Sequence, residues 1–436
     1  MKSMIENIML FFFAAFIAFS VSAQEIDQKF TIAVIPDTQN MVDYRHQPEE
    51  GYAVDGGAMF LEQMDYIADN SVTNGGEIEF VTSVGDVWDH VGLGIEQGHY
   101  DRGLRSLGIL AQRDNSRNVK GIQDVELPLA RKGYDKLKVG EMIFSVVPGN
   151  HDFDKTWFDS NFPRDLSRVD EISDEDGWYS YLDPTILGML HYGGFNNFNS
   201  VFGDDSNYFA NKNWYISSFN GGANSAQVFE AGGYKFLHFG FEMQAGDAVI
   251  AWAQSVIDDN PGLPTIITTH DFLNQHAERQ AEINMDLTAV DPLGHKAAED
   301  IWNDFITIND QIFMVLCGHY RGAAYRADKN DTGHDVYQML SNYQGRGQSA
   351  DPEPDIRPTG ISDGWIRLME FDMSGDVPII KVRTYSTYYD KFSVEIPEYA
   401  NWYKRWEHED ITDEEFNELD DFVIELTDFR ERFGEN

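Results

Sequence analysis

Hydrophobic and polar positions alternate between two textures along this chain. Five short apolar runs, rich in Val, Ile, Phe or Thr and bounded by turn residues, predict buried strands. They are FTIAVI (30–35), IEFVTSV (78–84), MIFSVV (142–147), TIIT (265–268) and IFMVLC (312–317). Between them, AVIAWAQSVIDD (248–259) and AAEDIWNDFI (297–306) carry apolar residues at helical spacing. Strands alternating with helices predict an α/β layered domain. Three later runs, HDVYQML (334–340), GWIRLMEF (364–371) and PIIKVRTYS (378–386), predict a second sheet paired largely through hairpins. The stretch 157–241 breaks the alternation. Dense in aromatics and asparagine, it predicts a long excursion, either a platform for substrate contacts or a unit packed around a small core of its own. After Tyr403 the chain turns acidic. A Thr412-x-x-Glu415 capping box, followed by Phe416, Leu419, Val423, Leu426, Phe429 and Phe433, predicts a helical tail over 404–436 docked on the parent domain.

Ahead of the first strand, Lys2, the apolar run MLFFFAAFIAF and the small residues Val21-Ser22-Ala23 have the form of a signal peptide over 1–23. The apolar run, roughly a dozen residues, falls short of the ~20 that a spanning helix needs. No later stretch is long and apolar enough to span, so no transmembrane segment is expected after signal removal. The expected location is secreted, periplasmic or cell-surface, with one main domain over 24–403. Cys317 is the single cysteine, which excludes an intramolecular disulfide framework.

Charge narrows the function further. With 74 acidic against 32 basic residues the net charge is −42. A phosphate-tracking basic face is not expected, so nucleic acid is not an expected partner. An anionic substrate would need local positive charge to overcome this field, and metal ions would supply it.

Each of the five predicted strands runs directly into a side chain that can bind metal. The strand ends carry Asp37 with Gln39, Asp86, Asn150-His151-Asp152, His270 and His319. Ligands of open α/β sheets bind at the carboxyl ends of strands. Singly, each group has a turn-chemistry explanation; five in succession point to a metal site.

The order Asp-x-Gln, Gly-Asp, Gly-Asn-His-Asp, His, Gly-His resembles the calcineurin-like metallophosphoesterase family, and the Asp-Thr-Gln of its first motif resembles a secreted bacterial branch. VYQMLSNYQ (336–344), DGWIRL (363–368) and TYS (384–386) are similar to that branch too. The resemblance covers roughly residues 30 to 390. It implies a four-layer α-β-β-α sandwich of two mixed β-sheets flanked by helices, and two divalent metal ions (Mn, Zn, Fe, Mg or Ca). One ion would be held by Asp86, Asn150, His270 and His319; the other by Asp37, Gln39 and the bridging Asp86. Most members carry histidine at Gln39, and many carry a second histidine at Arg321. An amide oxygen binds transition metals less firmly than imidazole, and arginine cannot ligate. Three arrangements are therefore open: a harder ion held through Asp37, Gln39, Asp86 and water; one metal only; or Arg321 gripping a phosphoryl oxygen.

The implied reaction is hydrolysis of a small phosphate ester, monoester or diester, by hydroxide held between the metals. His151 would be the general acid, with Asp152 orienting its imidazole. His90 and Arg321 are candidate substrate contacts, and Arg279, Arg346 and Arg367 are further candidate anion binders. DKNDTG (328–333) lacks the glutamate of a calcium loop, Met339 standing at that place, and predicts a hairpin turn. The alternative is a decayed metal- or glycan-binding protein on the same fold. Oligomeric state is left open by the sequence.

Overall fold

The computed structural model describes residues 28–93, 116–159, 161–163, 165, 167–168, 184–282, 285–349 and 360–434. The expected signal peptide and part of the 157–241 excursion lie outside the described residues. Strands, in chain order, are β1 (Lys29–Ile35), β2 (Ile78–Ser83), β3 (Gly92–Leu93), β4 (Ile143–Val146), β5 (Lys155–Phe158), β6 (Leu190–Gly193), β7 (Tyr215–Phe219), β8 (Asn224–Ala231) and β9 (Tyr234–Gly240). They continue with β10 (Thr265–Thr268), β11 (Ile312–Cys317), β12 (Gly322–Lys329), β13 (Asp335–Asn342), β14 (Trp365–Asp372), β15 (Ile379–Ser386), β16 (Lys391–Phe392) and β17 (Asp421–Glu425). The main helices are α1 (Gly56–Asp69), α2 (Leu127–Val139), α3 (Asp247–Asp259), α4 (Tyr399–Glu407), α5 (Asp413–Glu418) and α6 (Phe429–Phe433).

Two seven-stranded mixed sheets dominate. The first runs β16-β15-β14-β1-β2-β4 with β17 also on β15; the second runs β12-β13-β11-β10-β9-β8-β7. β1 is parallel to β2 and β2 to β4, while β9, β10, β11 and β13 form a parallel run in the second sheet. The apolar runs are unbroken because both faces of these strands are buried. Along β1, Phe30, Ile32 and Val34 pack with residues of the second sheet such as Phe236 and Met314. Ala33 and Ile35 face the opposite way, toward Phe60 and Ile67 of α1 and Tyr134 of α2. The second sheet's other face packs on Val256 and Ile257 of α3 and on Ile301 and Phe305.

Three expectations change. The late strands form no separate sheet: β14 and β15 join the first sheet, and β13 joins the second beside β11. The excursion's last third supplies β7, β8 and β9, the edge of the second sheet, and its Phe198, Phe202, Tyr208 and Phe209 sit in the core beside α2. The tail is helix, strand, helix instead of one helix. Phe422, Ile424 and Leu426 alternate with period two, and β17 takes the free edge of β15 in antiparallel register, leaving Val423 55% exposed. The Thr412 cap is formed as expected, its Oγ1 accepting from Glu415 N at 3.2 Å. Residues 328–333 lie in the β12–β13 hairpin. Among the described residues no helix is long and apolar enough to cross a membrane.

Candidate metal centre

β1, β2 and β4 end side by side in one sheet, and β10 and β11 end side by side in the other, so five polar strand ends meet where the two sheets face each other. Very close approach is needed. A Cβ on Gly149 would lie 2.2 Å from Asp86 Oδ1, and one on Gly318 would lie 2.3 Å from Asp37 Oδ1. Glycine before Asn150 and before His319 is therefore a packing requirement. Asp86 and His319 themselves adopt left-handed backbone, φ 50° and 70°, a strained conformation kept at functional sites.

Asn150 Oδ1 lies 3.1 Å from His270 Nε2 and 3.0 Å from His319 Nδ1, and Asp86 Oδ2 lies 3.2 Å from His270 Nε2. His270 Nδ1 donates to the Val84 carbonyl at 2.8 Å, which leaves Nε2 as the lone-pair nitrogen. Lone pairs from an amide, a carboxylate and two imidazoles thus converge. Ligand atoms of Asp86, His270 and His319 lie within 4.8 Å of one another. The electrostatics have the same character. Burial lowers the affinity of His270 for a proton, but Asp86 and Asp37 outweigh it and hold the imidazole up at about 10. Burial pushes Asp37 well up, against the pull of His270. Burial lowers His319 to about 4, against the pull of Asp271. Such a cage takes up protons when it holds no cation, and its donors fit a divalent ion.

Gln39 and Asp37, expected in a second set, adjoin the same centre. Gln39 Nε2 donates to Asp86 Oδ2 at 3.0 Å, and Gln39 Oε1 is buried with no hydrogen-bond partner among the described residues. Asp37 is fully buried and accepts from His319 N at 3.2 Å and from Asn342 Nδ2 at 2.7 Å. An orphaned amide oxygen, on a side chain that also touches Asp86, is a donor suited to a hard cation.

His151 stands at the edge, its side chain 32% exposed, with its backbone N–H donating to Asp86 Oδ1 at 2.8 Å. Its imidazole is oriented by the Asp89 carbonyl, which accepts from Nδ1, and not by Asp152. Asp152 spends its carboxylate on the N–H groups of Gly149 and Val87, at 2.9 Å each, and so shapes the turn. Burial, aided by Asp86, raises Asp152 to about 7. Burial opposes protonation of His151, yet Asp86 and Asp89 hold it up at about 9.

Other candidates fall elsewhere. His90 is buried and donates to Glu126 Oε1 at 2.6 Å, so it is part of the scaffold and does not face substrate. Arg321 is half-buried beside Gly345, two residues past His319. Arg279 pairs with Glu299 and Asp328, while Arg346 and Arg367 are fully buried on Asp420, so none of the three serves as a free anion binder. Sequence reading missed Asn342, Asp89 and Glu126. Asn342 closes β13, so the strand-end criterion that picked out the candidate ligands applies to it too.

No family model matches the chain. A Bacillus subtilis (strain 168) protein described as uncharacterized protein YvnB is 28% identical over 218 residues, 48% of this chain. The chain spans 14% of that protein's length. A solved structural neighbour is a dimetal phosphatase from Danio rerio, 11% identical, with a TM-score of 0.39 over 81% of this chain and 95% of that one.

Proposed function

We propose that this chain is a metal-dependent phosphoesterase of the calcineurin-like type that works on small phosphate esters outside the cytoplasm. Its catalytic domain spans 24–403, arranged as a four-layer sandwich, and 404–436 completes it. The observation that carries this reading is the meeting of Asn150 Oδ1 with His270 Nε2 and His319 Nδ1 at 3.0–3.1 Å, with His151 alongside. Asp86, Asn150, His270 and His319 would hold one divalent ion, and Asp37, Gln39 and Asp86 a second of harder character. Bound there, such ions supply Lewis-acid neutralisation of phosphoryl oxygens and lower the pKa of water.

The chain's own residues do the rest. His151 Nδ1–H is committed to the Asp89 carbonyl, so Nε2 carries the proton for the leaving-group oxygen. Asp89 beside it favours the protonated imidazole that a general acid needs. Asp152 keeps the turn under His151 in place, and Arg321, two residues past His319, is the candidate for gripping a phosphoryl oxygen.

The test is metal content by mass spectrometry together with turnover of chromogenic phosphomonoesters and diesters, before and after chelation and re-addition of Mn²⁺, Zn²⁺, Mg²⁺ and Ca²⁺. Chelator-sensitive turnover with about two metals per chain is expected. Metal binding with no turnover on any ester would favour a binding protein, and no metal binding would sink the assignment.

A further inference from the structure

Beside the centre lies a second group of buried ionisable side chains that no step above uses. Glu126 is fully buried and closes the π-turn Ile122–Glu126 that leads into α2. A π-turn inserts an extra residue into a helix and is common where a side chain must be aimed. Glu126 Oε1 accepts from the backbone N–H of Tyr44 at 3.2 Å and from His90 Nδ1 at 2.6 Å; its Oε2 accepts from the backbone N–H of His90 at 3.1 Å. Those two N–H groups belong to two loops of the centre, the one that follows Asp37 and Gln39 and the one that follows Asp86. Arg45 ties the same loops together from the solvent side. Its Nη2 lies 2.6 Å from both Asp43 Oδ2 and Asp89 Oδ2. Between these two fastenings stands the Asp89–His90 peptide, whose carbonyl accepts from His151 Nδ1.

Asp43, His90 and Glu126 are near enough to one another to ligate a cation. The Arg45 guanidinium, however, already holds both oxygens of Asp43 and reaches Asp89. This group is a fastening, with arginine as its cation.

We propose that Glu126, seconded by Arg45, is a positioning residue for His151: it fixes the Asp89 carbonyl so that the imidazole presents Nε2 to the leaving-group oxygen. The inference rests on the phosphoesterase reading. Its consequence is selective. Replacing the carboxylate by an amide leaves an N–H of His90 or Tyr44 facing another donor, so the peptide relaxes and the imidazole loses its orientation. Catalytic groups tolerate only about 0.5 Å of such drift. A nitrophenolate departs without a proton, whereas an alkoxide needs one. The loss should therefore follow the leaving group.

The experiment compares wild type, Glu126→Gln and Arg45→Gln on a nitrophenyl and an alkyl phosphate ester. Metal content and amide hydrogen exchange over 86–93 are measured alongside. Glu126→Gln should lose about 10²-fold on the alkyl ester and under about threefold on the nitrophenyl ester, general acids being worth 10²–10⁴. Its metal content should be unchanged, and the His90 amide should exchange faster. Arg45→Gln, at a half-exposed side chain, should show the same pattern more weakly, and it carries the test if Glu126→Gln fails to fold. Equal losses on both esters, or loss of metal, would overturn the proposal while leaving the phosphoesterase reading intact. A metal-loaded wild type inactive on both esters would overturn that reading and this inference with it.

Discussion

Asn342 shows how much of the centre depends on groups that would never touch a cation. Its Nδ2 donates to Asp37 Oδ2 and to the His319 carbonyl, both at 2.7 Å, and so fixes one expected ligand and the backbone of another. Partners that orient metal ligands are worth 10–100-fold in affinity. Asn342→Ala should therefore weaken binding at the Asp37 set by about 10–100-fold, read by competition against a calibrated chelator. Unchanged affinity would remove Asn342 from the centre. The candidate ligands were legible in sequence because each follows its strand directly. Their supports were not: Asn342 and Asp37 are separated by 305 positions, and only packing brings them together.

At the scale of elements, the two sheets are joined near the centre by a polar chain through an otherwise apolar core. Thr82 on β2 donates to Thr268 on β10 at 2.9 Å, and Thr268 lies 2.8 Å from His238 Nε2 on β9. His238 Nδ1 is 2.9 Å from Gln227 Oε1 on β8. Burial lowers His238 to about 3, so the folded state keeps it neutral while the unfolded chain protonates near the ordinary value of 6.5. The folded pKa is depressed, and the imidazole is neutral in the fold. The unfolded state therefore binds more protons between 6.5 and 3, and stability is lost as pH falls through that window. The loss is about 1.4 kcal/mol per pH unit. Wild type should lose on the order of 2–3 kcal/mol more than His238→Gln between pH 6.5 and 4.5 in denaturant titrations, given that slope. Parallel pH profiles for the two proteins would contradict this account.

Across the whole molecule, the C-terminal segment is built into the first sheet and onto the loop that follows β13. Asp420, between α5 and β17, is fully buried and takes Arg346 Nη1 at 2.8 Å and Arg367 Nη2 at 2.9 Å, both guanidiniums being fully buried as well. Arg346 also pairs with Glu407 of α4 at 2.6 Å, and it lies four residues beyond Asn342. Removing one partner of a buried ion pair costs about 3–5 kcal/mol because the other charge is left uncompensated. Asp420→Asn should show a loss of that size in equilibrium unfolding, and a change within about 0.5 kcal/mol, the range of ordinary surface substitutions, would contradict the network. Deleting residues 409–436 would bare the β15 edge and strip Asp420 from both arginines. The expected result is loss of soluble folded protein and of metal binding together. A truncated chain that stays folded and metal-loaded would contradict this account of the tail.

Sequence alone determined five buried strands and what stands at their ends, because a strand doubly buried reads as a continuous apolar run and its terminus is local. It pointed to a helix for the tail, since Phe416, Leu419, Val423 and Leu426 fit the helical period, although Phe422, Ile424 and Leu426 also fit the period of a strand. The free edge of β15 settled that in favour of β17, an outcome decided by what lay across the gap. Tertiary structure alone also decided which imidazole is oriented by which carbonyl, that His90 belongs to Glu126, and that Arg346 and Arg367 are internal counter-ions. Each of these is a pairing between distant loops, and hydrogen-bond geometry exists only once the backbone has been folded around it.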